Sequence, residues 1–287
     1  VTGALPRPRT LEGQAGLAAL LSEPARALIA LDFDGTLSPI VADPDAARAH
    51  PAAVPALRRL GAVTGTLAVI TGRPAAVAVD LGGFAGVPGL IVLGHYGWER
   101  WQDGTLASPA PPPGVAAARA ELPQVLAGAG VGQDAWVEDK GNAVAVHTRR
   151  AADPQAALQA LRGPLAVLAA RTGLAVEPGR LVIELRPPGT DKGAALQALI
   201  TERAPGSVMF CGDDLGDAAA FRAVRQVRAA GIPGLTVCSG SAETAAELAD
   251  AADLVVDGPD GIVALLGALA DAVNGRPGAV SGRSAGG

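Results

Sequence analysis

The segment ALIALDFDGT, residues 27–36, decides the fold. Five apolar residues run without a break into two acids and a glycine. Continuous apolar runs bounded by glycine read as strands buried on both faces, the habit of a parallel sheet. Asp32 and Asp34 therefore leave the carboxyl end of a strand, where open α/β sheets bind their ligands. Two residues apart, they reach the same crevice, and their repulsion calls for a cation between them. A hard divalent ion with oxygen ligands, Mg²⁺, fits.

The same pattern recurs outward from this strand. A short amphipathic helix, LEGQAGLAALL (11–21), precedes it. Downstream, a helix near 51–61 leads to TLAVITGR (66–73), and a helix near 74–82 leads to GLIVLGHYG (89–97). After residue 190 the rhythm resumes. A helix near 192–203 precedes SVMFCGDD (207–214), one near 215–230 precedes LTVCSG (235–240), and one near 242–250 precedes DLVVDG (253–258). A last helix spans 259–273. Alternating strands and helices predict a doubly wound, Rossmann-like α/β domain with a parallel sheet. The tail GRPGAVSGRSAGG (275–287) reads as disordered.

The middle of the chain breaks this rhythm. SPAPPPG (108–114) and RPPGT (186–190) are Pro/Gly-rich and read as hinges. Between them the order is helix, two strands, helix, two strands. That predicts an inserted α+β domain at 108–186 within a discontinuous core, 1–107 and 187–287. In AWVEDKGNAVAVHTR (135–149), Gly141-Asn142 reads as a tight hairpin turn. Outward pairing sets Lys140 opposite Ala143, Glu138 opposite Ala145, and Trp136 opposite His147. Alternation then puts Trp136, Glu138, Lys140, His147 and Arg149 on one face and Val137, Val144 and Val146 on the other, with Asp139 an exception near the turn. In RLVIELRP (180–187), Leu181, Ile183 and Leu185 make the apolar face, with Glu184 and Arg186 opposite. A face of acid, base, imidazole and indole suits a polyol better than simple wetting.

Composition excludes several classes. With 287 residues the prior is about two domains. A hydrophobic fraction of 49% is ample for a core, and 18% charge with a net −5 argues against nucleic acid or anionic membrane as partner. Mean hydropathy is +0.31, yet every apolar run breaks well short of the ~20 residues of a membrane span. The first residues, VTGALPRPRT, lack an apolar signal core, so the expectation is a cytoplasmic protein. Cys211 and Cys238 each end an apolar run and read as buried small residues rather than a disulfide framework. Of 23 basic residues only Lys140 and Lys192 are lysine, a choice that favours a compact point charge at those positions.

Three more element ends carry chemistry. Thr71, with Gly72 and Arg73, ends the second strand, where a hydroxyl and amides can hold a phosphoryl oxygen. Lys192 opens a helix in TDKGAAL, where its charge and the helix N-terminus both favour an anion. GDDLGD (212–217) follows SVMFC at a strand end, and its acids Asp213, Asp214 and Asp217 without local bases point to metal.

Together these four segments resemble the haloacid-dehalogenase-like phosphotransferases, in the right order and across the whole α/β part. The resemblance implies that Asp32 attacks phosphorus and forms an aspartyl-phosphate. It makes Asp34 the general acid and then base, with Thr71 and Lys192 holding phosphoryl oxygens. It implies Mg²⁺ on Asp32, the Asp34 carbonyl and Asp213, with Asp214 or Asp217 in support. The long interval between Thr71 and Lys192 contains the insert, which the resemblance makes a cap domain of the kind associated with sugar phosphates.

Within that class the chain is most similar to trehalose-phosphate phosphatases. DFDGTLSPI, VEDKGNAVAVHTR and VIELRPPGTDKG each resemble stretches of that family. This assigns Glu138, Lys140, His147, Arg149 and Glu184 to the sugar, with Gly72 and Arg73 as further substrate contacts. The implied substrate is a small molecule, trehalose 6-phosphate, and the expectation is a monomer. Two departures stand out: Ala218 and Ala219 follow the last acid of the fourth motif where acids are usual, and Thr148 replaces a common aromatic. Sucrose phosphate or mannosyl-phosphoglycerate as substrate, and a catalytically silent regulatory domain, are the competing readings.

Overall fold

The computed structural model of the chain describes residues 5–41, 43–132, 134–179, 181–241 and 244–275. Along the chain run α1 (Leu11–Ser22), β1 (Ala27–Leu31), α2 (Ala53–Gly61), β2 (Thr66–Ile70), α3 (Ala75–Gly82), β3 (Leu90–Gly94), β4 (Glu99–Gln102) and β5 (Thr105–Ala107). Next come α4 (Pro113–Gly128), β6 (Trp136–Asp139), β7 (Val144–His147), α5 (Pro154–Thr172), β8 (Ala175–Gly179) and β9 (Val182–Arg186). The chain ends with α6 (Lys192–Arg203), β10 (Ser207–Gly212), α7 (Ala218–Ala229), β11 (Gly234–Gly240), α8 (Ala246–Ala251), β12 (Leu254–Asp257) and α9 (Gly258–Asn274). Ser108–Thr190 forms one compact unit, and the residues flanking it in sequence form the other.

The flanking unit is the doubly wound α/β domain. Its eight-stranded sheet has the order β12-β11-β10-β1-β2-β3-β4-β5. From β12 to β3 the strands pair in parallel. Every residue of β1, β2, β3 and β10 is buried, because helices cover both faces. Leu20 of α1, Leu57 and Leu60 of α2, Val79 of α3 and Leu266 of α9 pack on one side. Leu196 of α6, Phe221 of α7 and Leu248 of α8 pack on the other. The strand order reverses between β10 and β1, so a crevice opens at their carboxyl ends.

Two strands escape the sequence reading. β4 and β5 form an antiparallel ribbon on the β3 edge. Their link is Asp103-Gly104, with φ of 49° and 80°, the left-handed pair that a two-residue hairpin turn demands. Only Trp101 of β4 reaches the core, so the short ribbon lacks the apolar run that marks the other strands. The helix expected near 242–250 begins at Ala246, and residues 242 and 243 lie outside the described residues. So does the expected disordered tail from residue 276 onward.

The Ser108–Thr190 unit is a four-stranded antiparallel sheet, order β6-β7-β9-β8. Helices α4 and α5 cover one face through Leu122, Leu126, Leu161 and Leu165, packed on Val144, Val146, Ile183 and Leu185. The hairpin pairs in the predicted register: Trp136 faces His147, Glu138 faces Ala145, and the Lys140 amide donates to the Ala143 carbonyl at 3.0 Å. Glu184 is opposite Ala145, which puts it on the Glu138 face. Two residues depart from the alternation. Leu181 has φ of 60° and precedes β9, so it belongs to the turn. Arg149 lies in a turn after β7 and is exposed. Thr148 is fully buried and donates its hydroxyl to the Pro154 carbonyl at 2.9 Å, and the chain turns away there before alternation can carry Arg149 onto the sheet face.

Candidate active site

The carboxyl ends of β1 and β10 bring distant acids together. The Asp32 amide donates to the Cys211 carbonyl at 2.9 Å, which continues the β1–β10 ladder by one residue and fixes where the Asp32 side chain starts. Carboxylate oxygens of Asp32, Asp213 and Asp217 all lie within 4.8 Å of one another. Gly35 holds φ of 73°, and a Cβ there would lie 2.0 Å from Asp213 Oδ2. Only glycine lets the Asp34–Thr36 turn lie against that carboxylate.

Lys192 is the counter-charge. It opens α6, whose N-cap Asp191 accepts from the Ala194 amide at 2.8 Å. Its Nζ lies 2.7 Å from Asp32 Oδ1 and 2.7 Å from Asp217 Oδ1. Burial alone would favour the neutral amine, but the Asp217 and Asp32 carboxylates outweigh it and hold the lysine protonated, well above its ordinary range. Asp32 shows the opposite balance. Burial, assisted by Asp217 and Asp213 and opposed by Lys192, raises its carboxyl well above the usual value. Burial and the neighbouring Asp217 and Asp214 push Asp213 up to about 7.

The acids of GDDLGD divide their work. Asp217 is fully buried. Its Oδ2 accepts from the Asp213 and Asp214 amides at 2.9 and 3.2 Å, while Oδ1 takes Lys192. Both oxygens are committed, so Asp217 orients its neighbours. Asp214 is exposed and caps the turn that follows, accepting from the Gly216 amide at 2.9 Å. Asp213 keeps its carboxylate toward Asp32. In the first turn the Gly35 amide donates to Ser38 O at 2.7 Å, and Phe33 O accepts from Leu37 and Ser38. Gly35 O accepts from the buried Ser239 hydroxyl at 2.6 Å. Among the described residues the Asp34 carbonyl accepts no hydrogen bond. The Asp213 carboxylate, the Asp32 carboxylate, shared with Lys192, and the unbonded Asp34 carbonyl make an all-oxygen donor set that fits a hard divalent cation.

Thr71 is buried and accepts from the Arg73 amide at 3.1 Å, which leaves its own proton for an acceptor. Arg73, expected as a substrate contact, grips Asp34. Its Nε and Nη2 donate to Asp34 Oδ2 and Oδ1 at 2.7 Å each, a bidentate fork. That bond raises the guanidinium's proton affinity against the cost of burial.

The open face of the Ser108–Thr190 sheet carries an imidazole–carboxylate hydrogen bond and, among the described residues, the ion pairs Lys140–Glu184 and Arg186–Glu177. His147 Nε2 lies 2.9 Å from Glu138 Oε2, and Lys140 Nζ lies 2.5 Å from Glu184 Oε2. Trp136 stacks on His147 with centroids 4.6 Å apart and is 44% exposed. Arg150 reaches the same indole, 5.4 Å from its centroid. Arg150 was not singled out in the sequence, and neither was Ser239, because neither bond follows a motif or a period.

The trehalose-phosphatase sequence profile matches residues 30–253. The chain belongs to the trehalose-phosphatase family. It is 40% identical over 216 residues to a Mycobacterium tuberculosis protein named as an uncharacterized glycosyl hydrolase, covering 70% of this chain and 15% of that one. It is 38% identical over 210 residues to the trehalose-phosphate phosphatase of Mycobacterium marinum, covering 69% of this chain and 52% of the relative. The chain thus spans about half or less of these relatives. The solved Aspergillus fumigatus trehalose-6-phosphate phosphatase shares its fold, with TM-score 0.68 at 24% identity over 93% of this chain and 99% of that one. Among the described residues no helix is long and apolar enough to cross a membrane.

Proposed function

We propose that this trehalose-phosphatase family chain hydrolyses trehalose 6-phosphate to trehalose and phosphate, as a Mg²⁺-dependent monomer in the cytoplasm, through an aspartyl-phosphate on Asp32. The observation that carries this reading is the convergence of Asp32, Lys192, Asp213 and Asp217 at a strand-order reversal.

Lys192 holds Asp32 by Oδ1, so Oδ2 is the oxygen that attacks phosphorus. As the Oδ2–P bond forms, the bond from phosphorus to the sugar oxygen breaks, and Asp34 supplies the proton that oxygen needs. The Arg73 fork occupies both Asp34 oxygens, so Asp34 parts from the fork and takes up a proton from solvent before passing it to the sugar oxygen. In the second half Asp34, again a carboxylate, takes a proton from water as the water attacks phosphorus. The Asp32–phosphorus bond breaks and phosphate departs. Lys192 and the Thr71 hydroxyl neutralise and orient phosphoryl oxygens, the main demand of phosphoryl transfer. Asp32, Asp213 and the Asp34 carbonyl would hold Mg²⁺, which would supply further charge neutralisation. The face of Glu138, His147, Lys140 and Glu184 offers acceptors and donors together and serves as the sugar-recognition surface of a cap.

The test is phosphate release in Mg²⁺ from a panel of trehalose 6-phosphate, sucrose 6-phosphate, mannosyl-phosphoglycerate and p-nitrophenyl phosphate, with Asp32→Asn as control. Preference for trehalose 6-phosphate, lost in Asp32→Asn, is expected. Preference for another sugar phosphate overturns the substrate, full release by Asp32→Asn overturns the mechanism, and no release from any ester overturns the enzyme reading.

A further inference from the structure

The link from β3 to β4 holds a run of backbone that L-residues avoid. His95, Tyr96 and Gly97 have φ of 47°, 58° and 94°. A left-handed conformation is disfavoured at any residue with a Cβ and normally occurs singly. Two consecutive non-glycine residues in it persist only where the surroundings over-determine them, and such strain gathers at functional sites. Here the left-handed run aims two successive amides at one neighbour. The Tyr96 amide donates to the Thr71 carbonyl and the His95 amide to the Arg73 carbonyl, both at 2.9 Å. Further along, Glu99 Oε2 accepts from the Ala75 amide at 2.8 Å, which fixes the start of α3. The Tyr96 ring covers the loop from above: a Cβ on Gly72 would lie 2.7 Å from the Tyr96 hydroxyl and 2.9 Å from its Cζ.

We propose that Tyr96 is a positioning residue that holds the Thr71–Arg73 loop in the shape needed to grip a phosphoryl group. The strained turn supplies two amide clips and the ring supplies the lid of the loop. Gly72 is glycine because the ring occupies the space of its Cβ. The loop's Thr71 hydroxyl is thereby fixed by contacts on both sides, the Arg73 amide at its oxygen and Tyr96 at its carbonyl. This rests on the reading of Thr71 as a phosphoryl-oxygen donor, and it asks nothing of the sugar.

The test uses the full chain in Mg²⁺, p-nitrophenyl phosphate as substrate and inorganic phosphate as competitive inhibitor. Melting temperature is followed for every variant. Tyr96→Ala is expected to raise KM and the phosphate inhibition constant about tenfold, because the uncovered loop misaims the Thr71 hydroxyl and weakens its one modest hydrogen bond to phosphate. Tyr96→Phe, which keeps the ring, is expected to stay within about threefold. Gly72→Ala alone is expected to weaken phosphate about tenfold or more, because its methyl meets the ring. In the Tyr96→Ala background the same change is expected to cost less than about twofold. That non-additivity is the signature, since residues in contact couple and independent ones do not. If Tyr96→Ala does not fold, Tyr96→Leu, which stops short of Gly72, takes its place in the comparison. Multiplicative losses, or an unchanged inhibition constant in Tyr96→Ala, overturn the inference while the proposed function stands. A wild-type chain with neither hydrolysis nor phosphate affinity overturns both.

Discussion

Asp217→Asn tests whether one buried acid organises the charge cluster. Asp217 is fully buried and accepts from Lys192 Nζ at 2.7 Å and from two backbone amides at 2.9 and 3.2 Å. An asparagine has one acceptor oxygen and one donor nitrogen. If the oxygen serves the amides, the NH₂ faces the ammonium; if it serves Lys192, the NH₂ faces the amides. Either way a donor is left without a partner in a buried site, at about 1–3 kcal/mol. Removing one member of a buried ion pair costs about 3–5 kcal/mol, and Lys192 keeps Asp32, so the lower end applies. A net loss of about 4 kcal/mol is expected, a large share of the ~5–15 kcal/mol that holds a domain. With a urea slope of about 3 kcal/mol per molar, the midpoint falls by about 1 M or more. Urea unfolding in a Trp136→Phe background reads the α/β unit, whose tryptophans are Trp98 and Trp101. Lys192 loses its second anchor, so turnover of p-nitrophenyl phosphate is expected to fall about 10- to 100-fold. A midpoint shift under about 0.3 M with wild-type turnover refutes the reasoning.

Asp34→Asn is expected to slow sugar-ester hydrolysis more than p-nitrophenyl phosphate hydrolysis, because an alkoxide needs the proton and an aryloxide hardly does; equal losses would remove Asp34 as the acid. Glu138→Ala or Lys140→Ala is expected to lower kcat/KM for trehalose 6-phosphate by about 10- to 150-fold, one charged hydrogen bond's worth. The same variants are expected to leave p-nitrophenyl phosphate within a few-fold, and parallel losses on both substrates would make that face structural. Asp253→Asn probes acid stability. Burial pushes the Asp253 carboxyl up, but Arg228, Thr10 and Thr236 donate to it and hold it below its ordinary value. A depressed acid stabilises the fold above its unfolded pKa of about 3.9, and the gain is lost as pH falls through the folded value. The stability gap between wild type and Asp253→Asn is therefore expected to be present in full at neutral pH and to narrow as pH falls below about 4. A gap that stays constant down to pH 3 would assign the effect to shape rather than charge.

The core was legible because its parallel strands are buried on both faces. ALIAL and LIVLG carry no polar residue and TLAVI carries only Thr66 at its first position, while the acids Asp32 and Asp213 follow the carboxyl ends of ALIAL and SVMFCG. The hairpin at Gly141-Asn142 was legible for the complementary reason: its turn residues and its period of two agree. Glu99–Gln102 was missed because ERWQ buries one residue and wets the rest, although Asp103-Gly104 marks the turn beyond it. Arg149 was misplaced because alternation says nothing about where a strand stops, and the Thr148 hydroxyl stops this one. The Arg73–Asp34 fork and the Lys192–Asp217 pair join residues distant in the chain, and only the assembled sheet brings them within reach.

The β4–β5 ribbon has a consequence for how the molecule behaves in a crowded solution. Parallel strands are built to be flanked, and a bare β3 would offer a row of unused amides and carbonyls to any extended chain. The ribbon caps that row, then ends it quickly. β5 is three residues long, the last strand on that side of the sheet, and runs straight into SPAPPP, four of whose six residues are prolines without an N–H. A neighbouring molecule that docked there would find too few backbone partners to add a strand, so the edge protects this chain from sheet-to-sheet aggregation.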